Sequence, residues 1–305
     1  AQERLLVALS RVTDVRIVLP WEARFPATEA LNALVDRLKA EADAHVHVDT
    51  PAANSELEEL EARLFRPGAR CVPVKGELLL AEVSGQEAEE SLIADLVADA
   101  VADGIAPGRT AIVYRDAAPR AVSLATQLAQ RGVVADVDAA VPFSATGFGA
   151  AMLALLDVCS GRVRTRERTL DFLHTRYSGL AHEDAGRIDT SWRRRRADGD
   201  TLVTEAHGLG GVTGEAFSEA SSLCSHGLSR NDLGLLVRLG GRLLAAAYGA
   251  GGAAGVLPLD AAAHRALLSE AGELLQASRH CEVGELCDAL RLRTVVSGEA
   301  DRDDA

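Results

Sequence analysis

The residues from Gly85 to Asp157 constrain the fold of this chain more than any other part of its sequence. They comprise an acidic helix, the sequence GIAPGRTAIVYRD, a second helix, the sequence RGVVADVD and an apolar helix that begins near Gly147. Residues 110–114 are a short run of β-forming residues, and their apolar neighbours suit a sheet that is covered on both faces. The sequence therefore predicts a strand-helix-strand unit, with Arg115 at the end of a buried strand.

The same alternation extends over the first half of the chain. Strands are predicted near 15–19, 45–49, 71–83, 110–114 and 133–138, and helices near 28–43, 55–65, 86–103, 117–131 and 147–159. Alternation of this kind is typical of a parallel α/β sheet. From about 160 to 291 the pattern becomes largely helical, with Ala and Leu at three-and-four spacing over 235–248 and 264–278. We therefore expect a parallel α/β sheet with a largely helical inserted lobe, to which 294–296 returns as a strand.

Arg115 is the first candidate site residue. In open α/β sheets, ligands bind at the carboxyl ends of the strands, and a guanidinium at that edge suits a phosphate or a carboxylate. The alternative is a surface arginine that pairs with Asp116 or with a neighbouring acid. Its position in the sequence is compatible with both interpretations.

Charge is distributed unevenly along the chain. The formal net charge is -13, which opposes an anionic partner such as DNA. Between 160 and 196, however, ten arginines stand against five acids, a local charge of +5. Phe172, Tyr177 and Trp192 are interleaved with these arginines, so the segment could hold phosphates and stack bases, each stacked base contributing about 1 to 3 kcal/mol.

The alternative for this segment is structural. The arginines would then pair with acids on neighbouring helical turns, and the aromatic side chains would fill the core. Four adjacent cations at 193–196 favour DNA, because they point all round a helix and repel one another unless an anion is near. The candidate DNA-binding residues are Arg187, Trp192, Arg193, Arg194, Arg195 and Arg196.

Several of these features resemble a known family. The Glu-rich helix, the Gly-x-x-Pro turn, the strand that ends in Tyr-Arg, the next helix and the following Gly-Val strand resemble the second motor domain of superfamily 1 DNA helicases of the UvrD and RecB type. Residues 15–38 (VRIVLPWEARFPATEALNALVDRL), 55–65 (SELEELEARLF) and 172–195 (FLHTRYSGLAHEDAGRIDTSWRRR) look like AddB, the helicase-like, nuclease-bearing subunit of bacterial double-strand-break resection complexes. The resemblance is diffuse and covers roughly residues 1 to 196.

This resemblance implies a RecA-like, P-loop helicase-like core and a division of the chain. Residues 1–80 would end a first helicase-like domain, 81–158 would begin the second, 159–291 would be the inserted helical lobe, and 292–305 would return to the second domain. The chain opens inside a helical pattern without a start methionine and closes in an acidic tail. We therefore expect an internal fragment of a longer protein.

The resemblance also implies a function in double-strand-break repair and recombination, within an ATP-dependent helicase-nuclease of the AddAB or RecBCD type. The expected partners are DNA, as a single strand or a duplex end, and an AddA-like helicase-nuclease subunit. Arg115 matches the motor motif, motif IV, whose arginine approaches the terminal phosphate of the nucleotide in active relatives.

The residues with which such relatives hydrolyse ATP are largely missing. A P-loop requires Gly-Lys-Ser/Thr, but the two lysines of the chain, Lys39 and Lys75, follow Leu38 and Val74. Pro20, Trp21 and Glu22 stand where active relatives carry nucleotide-sensing Asp and Gln residues. No convincing two-metal nuclease constellation is found either. We therefore expect no catalytic residue, metal or cofactor in this fragment, with ATP and magnesium bound only by the complete complex.

A second class of function remains open, that of a nucleotide-binding or small-molecule-binding α/β enzyme whose helical lobe closes over a ligand. The five cysteines show no CxxC spacing, which argues against a zinc site or a disulfide framework and favours a reducing cytoplasm. The longest apolar runs, such as 152–158, are far shorter than the roughly 20 residues that span a bilayer. No role in a membrane is expected.

Overall fold

The computed structural model describes residues 2–19, 21, 26–46, 56–64, 68–69, 76, 78–249 and 257–297. Helices account for 68% of these residues and strands for 3%. The chain divides into two compact units, residues 1–83 and residues 84–305.

In the first unit, the described helices are α1 (Gln2–Ser10), a 3-10 helix over Pro26–Leu31 that leads into α2 (Asn32–Glu41), and α3 (Glu56–Arg63). The helices predicted near 28–43 and 55–65 are thus confirmed. Trp21 donates a hydrogen bond from Nε1 to Asn32 Oδ1 at 2.7 Å, and the Lys39 ammonium lies 4.6 Å from the centre of the indole ring. Lys39 therefore packs on an aromatic side chain of its own unit.

The second unit is built from ten α-helices over its described residues. They are α4 (Gln86–Ala102), α5 (Ala118–Gln130), α6 (Gly147–Cys159), α7 (Arg166–Leu173), α8 (His182–Arg195), α9 (Gly199–His207), α10 (Gly211–His226), α11 (Leu233–Tyr248), α12 (Pro258–Ala277) and α13 (Val283–Leu292). The helices predicted near 86–103, 117–131 and 147–159 are confirmed, as is the helical character of 160–291.

The predicted RecA-like parallel sheet is wrong. The described strands form two antiparallel pairs, with β1 (Val141–Pro142) beside β4 (Thr294–Val295) and β2 (Leu228–Ser229) beside β3 (His280–Cys281). Residues 15–19, 110–114 and 133–138 are not strands, and neither are the described parts of 45–49 and 71–83; residues 47–49, 71–75 and 77 lie outside the described ranges. The strand predicted near 294–296 is present at 294–295, but its partner runs antiparallel. These segments have local β character, whereas a sheet also needs partners, which local sequence cannot specify.

Helix α6 forms the centre of the second unit. Its sequence, GFGAAMLALLDVC, is apolar around its whole circumference, which is typical of a helix enclosed on all sides. All of its residues from 148 to 159 except Ala150 are buried, and α7, α10, α12 and α13 pack around it. Thr146 caps its first turn, since the Thr146 hydroxyl accepts a hydrogen bond from the Gly149 amide at 3.0 Å.

Helices α11 and α12 approach closely because α11 has a glycine, without a side chain, where it faces α12. A β-carbon added at Gly240 of α11 would lie 2.5 Å from ring atoms of His264 on α12 and 3.5 Å from Phe148. The His264 ring packs edge-to-face on Phe148, with 5.4 Å between ring centres. Any larger residue at Gly240 would therefore have to displace this histidine.

Candidate nucleic-acid interface

Helix α8 carries the sequence-predicted DNA-binding residues, and its charges follow the helix dipole. Glu183 and Asp184 lie in its first turn, while Arg193, Arg194 and Arg195 lie in its last turn, close to the partial negative charge of the carboxyl end. Arg196, the residue that follows the last helical position, adopts a left-handed conformation (φ 52°, ψ 42°). The sequence analysis explained these clustered cations by an external anion. The helix dipole is a second explanation and accounts for part of the clustering.

The inner face of α8 is anchored in the core. Ala185 and Trp192 are buried, and Trp192 donates from Nε1 to Glu205 Oε2 on α9 at 2.7 Å. Phe172 and Tyr177 are also buried. The prediction that these three aromatic side chains stack on bases is wrong for this structure, because a ring 0% to 2% exposed cannot reach a base. The structural alternative, in which the aromatic residues fill the core, describes them correctly.

Three of the five candidate arginines have acidic partners. Arg187 pairs with Asp184, and Arg193 pairs with Asp189 at 2.9 Å. Arg195 binds Glu205 through both terminal nitrogens, at 2.6 and 2.7 Å. This hydrogen bonding by Arg195, with a smaller contribution from the Trp192 indole, lowers the pKa of the Glu205 carboxyl below its usual value.

The remaining two candidates, Arg194 and Arg196, are exposed. Neither has an ion pair or a side-chain hydrogen bond with any residue in the described ranges. These two guanidinium groups can therefore bind an external anion without losing an existing partner.

The outer face of α8 forms a shallow open depression of about 610 Å³. Gly186, Thr190 and Ser191 are small residues in its lining, and Arg194 and Arg195 lie at its carboxyl end, whereas Glu183 lies at its amino end. Its lining consists of Glu183, Gly186, Arg187, Thr190, Ser191, Arg194 and Arg195, which share one helical face. An extended polyanion could lie along this strip with its phosphates beside the arginines.

The other arginines of the basic segment stabilise the fold. Arg162 binds Asp288 and the Gly284 carbonyl, and Arg164 pairs with Asp200. Arg168 holds the buried Asp157 carboxylate at 2.8 Å. The local charge of +5 is thus largely neutralised within the structure, which confines the candidate interface to the outer face and the carboxyl end of α8.

Arg115 lies in an exposed turn after residue 114 and before α5. The strand that was expected to present Arg115 at a sheet edge is not formed. In the described part of the chain, Arg115 has no hydrogen bond or ion pair, including with Asp116. Among all residues that the structure describes, there is no group of three or more His, Cys, Asp or Glu side chains suited to a metal ion.

The sequence did not reveal a second buried carboxylate, Asp260, at the start of α12. Asp260 Oδ1 accepts a hydrogen bond from the Phe148 amide at 3.0 Å, and Oδ2 accepts from the Tyr177 hydroxyl and from the Tyr248 hydroxyl, the latter at 2.5 Å. The Arg176 guanidinium stacks on Tyr248, 4.4 Å from the ring centre. With its oxygens occupied, this carboxylate joins the ends of α6, α11 and α12 and has a structural role.

Comparisons of the chain with protein-family models, with curated proteins and with solved structures find no significant match. Among the described helices, none combines the length and the apolar character needed to span a bilayer.

Proposed function

We propose that this chain is a non-catalytic nucleic-acid-binding scaffold whose contact surface is the outer face and the carboxyl end of α8. The observation that carries the proposal is the pair of exposed arginines, Arg194 and Arg196, which have no acidic partner among the described residues. They lie at the end of a helix that the buried Trp192 holds in place. A fixed helix presents such cations at a lower entropic cost than a loop does.

The proposed contact is electrostatic and independent of base sequence. Guanidinium groups bind phosphate oxygens, and the binding constant then depends on salt because counterions are released from the nucleic acid. Binding is expected to be weak, because the net charge of -13 repels a polyanion everywhere except at a local cationic surface.

We further propose a wider assignment, in which the chain is part of a bacterial helicase-nuclease of the AddAB or RecBCD type that acts in double-strand-break repair and recombination in the cytoplasm. This proposal is supported by the resemblance of residues 1 to 196 to AddB-type subunits. The RecA-like core that the resemblance also implied is not formed by the described residues and gives no support. In this assignment ATP and magnesium belong to the complete complex, and an AddA-like subunit is the protein partner. The alternative, an α/β enzyme with a helical lid, depended on a parallel sheet, and the described residues form no such sheet.

The DNA contact can be tested by fluorescence anisotropy with a labelled oligothymidine over a series of salt concentrations. We expect Arg194→Ala/Arg196→Ala to lower the slope of log K against log salt by roughly 1.4, since each lost phosphate contact on a single strand removes about 0.7. Arg230→Ala/Arg238→Ala is the matched control, because it removes two exposed arginines without described ion pairs near the start of α11. Equal effects of the two double variants, or no effect of the first, would overturn the proposal.

The wider assignment has its own test. The full chain is mixed with an AddA-like subunit of the same organism and passed over a gel-filtration column. Co-elution is expected. Separate elution would contradict the assignment to a helicase-nuclease and would leave the DNA contact of α8 to be judged by the anisotropy experiment.

A further inference from the structure

Two segments of the second unit, 110–114 and 133–137, have the side-chain alternation of strands. In the first, Ile112 and Tyr114 are half-buried against α4 and α5, whereas Ala111 and Val113 are exposed. In the second, Val133 and Ala135 pack on the same helices, whereas Val134 is exposed. Alternate side chains therefore point to opposite sides of each segment, as they do in an extended chain.

These two segments do not pair with each other. Both lie within the described ranges, and no backbone hydrogen bond joins one to the other. The backbone groups of 111–114 and 134–136 also find no hydrogen-bond partner elsewhere in the described structure, although Val133 bonds to Leu128 and Val137 bonds to Ser297 at 2.5 Å. Each segment thus presents an unpaired edge of donors and acceptors.

A groove of about 490 Å³ is lined by both segments. Apolar residues of α5, namely Ala121, Leu124, Ala125 and Leu128, also line it. These four side chains are only 1% to 7% exposed, so they are already largely covered and the groove reaches only their edges.

Two polar features further define the groove. Asp136 and Asp138 belong to its lining, which contains neither lysine nor arginine. The Tyr114 hydroxyl, in the same lining, is buried and makes no hydrogen bond within the described structure. The groove therefore combines a largely apolar lining with two carboxylates and a hydroxyl that lacks a partner.

We propose that this groove binds a β-strand of another polypeptide, with alternating apolar side chains and a lysine or arginine beside Asp136 and Asp138. A strand supplies backbone donors and acceptors to both unpaired edges, and its apolar side chains lie against Ala111 and Val134, which are exposed in the groove lining. Its cationic end meets the two carboxylates. A small apolar ligand would leave both edges unpaired.

The test uses the full chain and a fluorescent peptide, acetyl-Lys-Val-Thr-Val-Thr-Val-Lys-amide. Saturable one-to-one binding is expected by fluorescence anisotropy. A control peptide with two N-methylated central amides keeps its side chains but loses two backbone donors, so it should bind about tenfold more weakly. Equal binding of both peptides, or no saturable binding of either, would overturn the proposal.

The contribution of charge is measured with a surface variant that leaves the core intact. Asp136→Asn/Asp138→Asn should weaken peptide binding by roughly two- to fivefold at low salt, as expected for exposed ion pairs. The matched control is Asp99→Asn/Asp103→Asn, which removes the same charge from exposed positions outside the groove lining and should have no effect.

Other occupants would give different results. If the chain alone sediments as a dimer and the peptide fails to bind, the groove accommodates a second copy and the proposal is wrong. If an apolar dye binds stoichiometrically and the peptide does not displace it, the groove is a small-molecule site and the proposal is again wrong.

Discussion

The Arg291 guanidinium on α13 lies 2.5 Å from the carboxylate of Asp157 on α6, measured from Nη2 to Oδ1, although 134 positions separate the two residues. Arg168 on α7 binds the other carboxylate oxygen at 2.8 Å. Asp157 is buried inside the most apolar helix of the chain, whereas both arginines are partly exposed. Without the arginines the buried carboxylate charge would be uncompensated, whereas without the carboxylate the arginines could still be solvated by water.

This asymmetry predicts an order of stabilities for variants of the three residues. Arg168→Met/Arg291→Met should lose about 3 to 5 kcal/mol of unfolding free energy, because it leaves a buried charge without a partner. Asp157→Leu should cost about 1 kcal/mol or less, because the arginines can turn towards water. The triple variant should recover most of the loss. Urea unfolding measures all three, and a larger loss for Asp157→Leu than for the double arginine variant would contradict the asymmetry.

Two adjacent glycines of α11 should respond in opposite ways to substitution by alanine. Gly240→Ala places a methyl group against the His264 ring and should destabilise the protein by about 1 to 3 kcal/mol, despite the gain in helix propensity. Gly241 is exposed, and an added β-carbon there would meet nothing within 4 Å. Gly241→Ala should therefore stabilise by about 0.5 to 1 kcal/mol. Changes of the same sign in the melting temperature would show that the contact of α11 with α12 does not depend on Gly240.

His264 should make the protein sensitive to acid. Its Nε2 is buried without a described hydrogen-bond partner, and burial, together with the nearby Arg265 charge, lowers its pKa below the ordinary value of 6.5. The unfolded chain then binds the proton more readily. The stability contribution is thus complete above about pH 6.5 and is lost as the pH falls towards the folded-state pKa. Wild type and His264→Leu are compared by urea unfolding between neutral and acidic pH, and parallel pH profiles would refute the prediction.

All three tyrosines of the chain should resist ionisation. Burial is the largest cause that raises the pKa of Tyr114, Tyr177 and Tyr248, and the Asp260 carboxylate raises it further for the last two. The tyrosinate absorbance of Tyr177 and Tyr248 should therefore appear well above pH 10 and together with alkaline unfolding, whereas Tyr114 need only ionise at a pH higher than its ordinary value of 10. Reversible ionisation of more than one tyrosine while circular dichroism stays native would disprove the expectation.

The helices could be predicted because their determinants are local. The three-and-four spacing of Ala and Leu over 235–248 and 264–278 indicated α11 and α12, and the apolar run after Gly147 indicated α6. The parallel sheet could not be predicted correctly in the same way. Residues 110–114 have the composition and the alternating burial of a strand, but pairing depends on chain segments that are distant in sequence.

In the basic segment, too, contacts between different helices could not be predicted from the sequence. The sequence located the cations of α8 but could not show that Glu205, ten positions beyond Arg195, neutralises one of them. Trp192 could have been recognised as buried, because Ala185, Ile188 and Trp192 recur at three-and-four spacing on one face of α8. An acid within an apolar run, as in LALLDVC, likewise signals a buried charge that must find a partner.

The two tryptophans of the chain are divided between the two units, with Trp21 in the first and Trp192 in the second. Emission from a Trp21→Phe variant therefore originates only from residues 84–305, where the indole is enclosed by the core and hydrogen-bonded to Glu205. Its spectrum should shift to the red only when α8 separates from α9. Each of the two units thus contains an intrinsic optical probe, so their melting can be recorded separately without attaching a dye.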